Sequence, residues 1–400
     1  MEAKGPLAGV RIIDLTSVVL GPLATQILGD YGADVIKVES LEGDLIRSNG
    51  VSRHPGMSSI HLAVNRNKRS LALDLKSPEG ADVLRRLVRG ADALVHNMRV
   101  EAIERLGFGY DAVRAVKPDI VYCVATGFGQ DGPDRARPAF DDVIQAGCGL
   151  VSLSEVYADR PDFMPSLIAD KTVGMALVNA VLAALFHHAR TGQGQHVEVP
   201  MLETMAAFTL AEHMGGMAFE PWEGPAGYGR ILKGGRRPMR TADGWLAVLP
   251  YTGEHWAAFL AEVGREDLVA VASDRYARAA RIGELYSVMA EAMVLRPSAE
   301  WLATCDRLDI PATRVFQLDE LPAHPHLHAV GFFTEADHPT EGRIREVRPP
   351  TRFAGTPAEL RRPAPTHGQH SREVLAEAGF GADEIEALVE RGLVKVVDSA

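Results

Sequence analysis

From Val10 to about Ala125 the chain alternates short, β-branched apolar runs with longer amphipathic stretches. "VRIIDL", "DVIKVE", "SLALDL", "DALVHN" and "DIVYCVA" read as strands, and "GPLATQILGDYG" and "SPEGADVLRRLVRG" read as helices. This βαβ rhythm predicts a mostly parallel sheet. Ser77-Pro78-Glu79 is a strong helix start, with Ser at the cap, Pro at the first helical position and an acid in the first turn. A second αβ passage over 139–219 holds a long apolar helix headed by Asp170, the strand "QHVEV" and a helix opened by "PMLETMAAF".

The character changes after that. Residues 221–238, "PWEGPAGYGRILKGGRRP", are rich in Gly, Pro and Arg and mark a flexible connection. Met239 to about Leu321 carries a strand, "GWLAVLP", and several amphipathic helices, enough for a smaller domain. The pattern divides the chain into a large domain over 1–220, a glycine-rich linker over 221–238, a small domain over 239–325, and a return to the large domain over 326–400 through two terminal helices.

Four hundred residues exceed the size at which single cores stop growing, which fits two domains. The net charge of -11 argues against nucleic acid as a partner. It also requires any phosphate-bearing ligand to be met by a local cluster of cations. Cys123, Cys148 and Cys305 have neither zinc nor disulfide spacing, so the expected compartment is the reducing cytoplasm, with no metal site. The apolar run "MALVNAVLAALF" is shorter than the ~20 residues of a spanning helix and is expected to be buried, not in a membrane.

Several chemistries fail on their residues. "GFGQDG" at Gly127 to Gly132 resembles a dinucleotide fingerprint, but Pro133 and Pro138 bracket the polar segment after it, so no helix can receive a pyrophosphate. His324, His326 and His328 sit in a proline-containing turn without a helical ligand face, and no G-x-S-x-G elbow occurs. Carboxylates remain. Asp170 reads either as an ordinary N-cap or as a reagent. Three strand ends carry polar groups suited to the rim of a ligand site: Glu39 with Ser40, Asp74 with Lys76, and Asn97 with Arg99, with Arg105 one or two turns further on.

At this point the residues resemble the class III coenzyme A transferases, the CaiB/BaiF or formyl-CoA transferase family. The resemblance spans nearly the whole chain. It rests on "PLAGVRIIDLT", "GPLATQILGDYGADVIKVES", "NRNKRSLALDLKSPEG", "ADALVHNMR", "ERLGFGYD", "ATGFGQDGP", "ADKTVG", "RTGQGQHVEVPMLE" and "GTPAELRRPAPTHGQHS". It implies an α/β fold with a Rossmann-like parallel-sheet large domain, a smaller α+β domain, and two subunits interlocked as a homodimer. It also implies transfer of CoA from an acyl-CoA to a free carboxylic acid through aspartyl-acyl anhydride and aspartyl-CoA intermediates, with no permanently bound cofactor.

The family's catalytic aspartate falls on Asp170, where the helix start is expected to keep the carboxylate ionised and oriented. Its CoA-holding groups fall on Leu73, Asp74, Leu75, Lys76, Asn97, Met98, Arg99 and Arg105, and its glycine-rich active-site loop falls around Gly227 to Gly235. Departures from the family pattern matter as well. Val19 and Ser40 stand where the formyl-CoA branch carries Gln and Arg, which leaves the acids open. The racemase branch works with a His in a motif that here reads Ala139-Phe140-Asp141, so an acyl-CoA racemase or isomerase is the second reading. A nicotinamide oxidoreductase or a non-catalytic CoA-binding homologue is a distant third.

Overall fold

The protein is described here from a computed structural model covering residues 4–158, 160–232 and 235–397. It divides into two compact units, one of residues 1–154, 161–209 and 329–400, the other of residues 155–160 and 210–328.

The first unit is built on a seven-stranded sheet. Its strands are β1 (Arg11–Leu15), β2 (Asp34–Glu39), β3 (Lys68–Leu73), β4 (Ala93–His96), β5 (Val121–Thr126), β6 (Gln195–Pro200) and a C-terminal strand, Val394–Lys395. The sheet order is C-terminal strand, β3, β2, β1, β4, β5, β6, and every pairing is parallel except that of the C-terminal strand with β3. This is the doubly wound order, in which the chain reverses direction across the sheet between β1 and β4. Loops leaving those two strands part there and open a crevice.

Both faces of the sheet are buried, as a parallel sheet requires. One face packs Ile12, Val35, Val95 and Cys123 under α1 (Leu20–Asp30) and the later helix Ile168–Thr191. The other packs Ile13, Ile36, Leu71 and Leu94 under Pro78–Arg89 and the C-terminal helices. Ser77 caps its helix as its sequence predicts, its Oγ accepting from the Gly80 N–H at 3.0 Å.

The helix Ile168–Thr191 is longer than its apolar run suggests. Its 24 residues, with a mean hydropathy of 1.5 in the most apolar stretch, are long and apolar enough to cross a membrane. The apolar run understates the length because the helix continues through polar and small residues on both sides. Val173, Leu177 and Val181 recur every four residues and are fully buried against the sheet. Gly192 ends the helix in the left-handed conformation, φ 72°, its N–H donating to the His188 carbonyl at 2.7 Å.

The second unit has a three-stranded antiparallel sheet of Met239–Arg240, Trp245–Val248 and Ala312–Arg314. The helices Gly253–Glu262, Ile282–Met293 and Ser298–Arg307 cover it around Trp256, Phe259 and Trp301.

Candidate active site

The crevice beyond the carboxyl ends of β1 and β4 is a cavity of about 270 Å³ lined by Ser17, Val18, Leu20, Asn97 to Val100, Gly127, Gln130, Arg135, Arg137, Phe140, Asp170 and Met201. The loop after β1 supplies one wall, the loop after β4 a second and the loop after β5 a third. A larger cavity, about 690 Å³, lies against the hairpin Phe333–His338/Gly342–Val347, but its buried charges are already paired, Arg66 with Asp30 and Glu341 with His54. The chemistry points to the smaller one.

Asp170 is not the helix cap that its position at the head of the apolar run suggests. The helix begins at Ile168 with Leu167 in the capping position and no capping side chain, which leaves Asp170 inside the first turn. The cap comes from elsewhere: the Asp170 N–H donates to Asp141 Oδ1 at 2.9 Å. Asp141 opens the short helix Asp141–Gly147 and is 4% exposed. Its other oxygen accepts from Gln145 Nε2 at 2.5 Å, while Gln145 Oε1 accepts from the Met164 N–H at 3.0 Å. A sequence-distant carboxylate thus fixes both the start of the Asp170 helix and the loop leading to it.

The side chain of Asp170 is in the opposite situation. The residue is 9% exposed, and among the described residues no donor bonds to its carboxylate oxygens. Burial, then the charges of Asp141 and Asp142, push its pKa up to about 6. A helix start favours the ionised form, but burial and two neighbouring acids outweigh it. A largely buried carboxylate without protein donors is more basic than a fully solvated one, yet with a pKa of about 6 it is still mostly ionised at neutral pH.

The other expected site residues separate into two groups. Asn97, Met98 and Arg99 line the cavity with Asp170. Leu73 is buried at the end of β3, paired with Val394, and Asp74, Leu75 and Lys76 form the turn after it, with Asp74 Oδ1 accepting from the Lys76 N–H at 3.0 Å. Arg105 ends the helix Val100–Arg105 and is exposed. These five lie outside the lining of the Asp170 cavity. Glu39 is withdrawn from any polar rim. Burial would raise its pKa, but the 2.7 Å pair with Arg47 and the charge of Lys37 hold it far below the usual carboxylate range. The glycine-rich stretch Gly227 to Gly235 belongs to the second unit, and residues 233–234 within it lie outside the described residues.

Sequence reasoning passes over Gln145, Arg135 and Arg137, and it meets Asp141 only in the motif Ala139-Phe140-Asp141, not as the partner of the Asp170 helix. "DRAR" reads only as a polar interruption, although two cations beside a crevice in an acidic protein are a usable signal. The structural pairings of Asp141 and Gln145, four apart on one helical turn, give none, because their partners are 29 and 19 residues away. Among the described residues no group of three or more His, Cys, Asp or Glu gathers as a metal site.

A doubly wound sheet with a crevice at its switch point, and a buried carboxylate of raised pKa lining it, has the architecture of a ligand-binding α/β protein. Residues 7–371 match CoA-transferase family III, and the chain belongs to that family. It is 32% identical to a succinate–glutarate CoA-transferase of Agrobacterium fabrum, over 94% of this chain and 96% of the relative. It is 30% identical to a succinyl-CoA:glutarate CoA-transferase of Mus musculus, over 98% and 91%. The crystal structure of Rv3272 from Mycobacterium tuberculosis superposes with a TM-score of 0.80 at 28% identity, covering 92% of this chain and 98% of that one. A CaiB/BaiF family protein from Brucella suis superposes with a TM-score of 0.79 at 27% identity, over 94% and 100%. The chain is therefore an enzyme of the class III CoA-transferase type, and its substrates are CoA thioesters.

Proposed function

We propose that the enzyme moves CoA from an acyl-CoA to a free carboxylic acid with Asp170 as nucleophile. An Asp170 oxygen attacks the thioester carbonyl, the C–S bond breaks, and a mixed anhydride and CoA thiolate result. The thiolate then attacks the aspartyl carbonyl, releasing the donor acid and leaving aspartyl-CoA. The acceptor carboxylate reverses the sequence: it attacks aspartyl-CoA to give a new anhydride, whose acyl carbonyl the thiolate attacks, freeing Asp170. Both exchanges pass through tetrahedral oxyanions, for which the opening backbone N–H groups of α1, whose first residue Leu20 lines the cavity, would serve as donors.

The observation that carries this reading is the Asp170 carboxylate itself, buried in the cavity, without a donor and with a pKa pushed up to about 6. A carboxylate kept for structure would be paired, as Asp14, Asp30 and Glu39 are. We place CoA along Leu73 to Lys76, the backbone from Asn97 to Arg99, and Arg105, with the Asn97 side chain already bonded to Ser17 and with Arg99 and Arg105 as the exposed cations that meet its phosphates in an otherwise acidic protein. Phe140, in the position where a racemase keeps its imidazole, is 66% exposed and carries no proton, which favours transfer over racemisation. Two subunits interlock as a homodimer in the cytoplasm; the apolar Met175, Phe186 and Phe208, left 52%, 64% and 47% exposed in the single chain, are surfaces for the second copy.

The test is a panel of acyl-CoA donors and carboxylic acids, with succinate and glutarate first in view of the relatives, read for new thioesters by mass spectrometry. Wild-type enzyme exchanges at least one pair and Asp170→Asn exchanges none. Exchange by Asp170→Asn near the wild-type rate would remove Asp170 from the reaction.

A further inference from the structure

The turn between β1 and α1 is pinned by side chains at almost every backbone polar group. The Thr16 N–H donates to Asp14 Oδ1 at 2.8 Å, and the Thr16 carbonyl accepts from Lys37 Nζ at 2.8 Å. The Ser17 N–H donates to Asn97 Oδ1 at 2.9 Å, and Asn97 Nδ2 donates back to the Ser17 carbonyl at 2.9 Å. The Val18 N–H donates to Asp44 Oδ1 at 3.0 Å.

Held this way, Val18 has φ 68°, a left-handed conformation that a β-branched residue avoids and keeps only where its surroundings over-determine it. The surroundings are costly in their own right. Asp44 pairs with Lys37 at 3.0 Å and Asp14 with Lys68 at 3.1 Å, all four side chains at most 1% exposed. Such a buried ionic cluster is a weak source of stability alone.

Its effect is direction. Val19 and Leu20 come directly after the strained residue, α1 has no capping side chain and no acid in its first turn, and the amides of Val19 and Leu20 have no acceptor among the described residues. Leu20 lines the same cavity as Asp170, whose buried carboxylate is also unpartnered. The two helices touch one turn below Asp170, where a Cβ on Gly174 would stand 2.7 Å from the Leu20 carbonyl oxygen.

We propose that Asn97 and Asp44 are positioning residues that hold Val18 left-handed and so aim the opening amides of α1 at the acyl group carried by Asp170. The inference rests on Asp170 being acylated, and it assigns the Asn97 side chain to the turn.

The test tracks adduct formation on the Asp170 peptide by quenched-flow mass spectrometry with an acyl-CoA that the wild type turns over, alongside steady-state kinetics. In Asn97→Ala the freed Val18 relaxes, and kcat and the acylation rate fall about tenfold while KM for acyl-CoA changes less than about threefold. Adding Val18→Gly to Asn97→Ala restores most of the rate, because glycine takes the left-handed conformation without being forced. A packing defect would not be cured by removing a second side chain. Asp44→Asn, with and without Val18→Gly, is read in the same way if Asn97→Ala does not fold. Acylation of Asn97→Ala at the wild-type rate, or a double variant no faster than the single, overturns the positioning role alone. Turnover by the wild type with no adduct on Asp170 overturns the nucleophile assignment, and this inference with it.

Discussion

Asp170 is held in a state that costs the fold and that suits the nucleophile proposed for it. Its carboxyl titrates at about 6 rather than 3.8, so the folded protein holds this proton more tightly than the unfolded chain does. Linkage gives the sign: no cost exists below about pH 4, it grows as pH rises towards 6, and above that it is fully present, at up to about 3 kcal/mol. Asp170→Asn removes it. The variant is expected to be inactive yet more stable than wild type at pH 7, by on the order of 1–3 kcal/mol in denaturant melts, with the advantage gone at pH 4. Equal or lower stability at pH 7 would mean that the carboxylate is solvated or paired. On the proposed mechanism the same carboxyl sets the acid limb of activity, because only the ionised form attacks. Asp141→Asn keeps an oxygen for the Asp170 N–H but removes a charge that raises its pKa, so the acid limb of kcat/KM should move to lower pH. An unmoved limb would detach Asp141 from the electrostatics of the site.

At the scale of elements, whatever is local is legible in the sequence. The strands β1 to β5 match their β-branched runs, and Ser77 caps its helix through a bond to a residue three positions on, information that a short window contains. Asp170 shows the limit. Its helix starts two residues early because the cap is a carboxylate 29 residues back, which no local pattern encodes. Glu39 fails for the same reason. A strand-end acid looks like part of a rim until Arg47 returns to it across a turn. Asn97 at the end of β4 is legible as a rim residue, but the pair of bonds tying it to Ser17 needs the β1–β4 adjacency that only the sheet supplies.

The close crossing of α1 and the Asp170 helix leaves no room for a side chain at Gly174. Gly174→Ala puts a methyl group 2.7 Å from the Leu20 carbonyl oxygen, a backbone atom that cannot swing away, so the helices must separate. A loss of about 1–3 kcal/mol in stability should accompany a kcat loss larger than that from a destabilising substitution of equal size on the far face of the sheet. Wild-type kcat in Gly174→Ala would show that the crossing does not set the site.

For the whole molecule, the long apolar helix is the informative element. Val173, Leu177 and Val181 satisfy one side of it against the sheet, while Met175 and Phe186 on other sides are more than half exposed. A helix apolar on more than one side has more than one surface to cover. In the proposed interlocked dimer a second copy covers it permanently. Sedimentation over a wide dilution range should show dimer throughout, and folded monomer should never appear before unfolding begins. A reversible, concentration-dependent monomer–dimer equilibrium would exclude the interlocked arrangement.

Covalent acylation of Asp170, with exchange of one of its own oxygens in each cycle, is directly visible by isotope transfer. When an acceptor acid with both carboxylate oxygens as oxygen-18 attacks aspartyl-CoA, one labelled oxygen becomes the anhydride bridge. It stays on Asp170 when the thiolate takes the acyl group away. After turnover, mass spectrometry of the peptide containing Asp170 is expected to find oxygen-18 in that side chain and in no other carboxylate. Label in the product thioester with none in Asp170 would mean that CoA passes between acids without an aspartyl intermediate, and would contradict the mechanism.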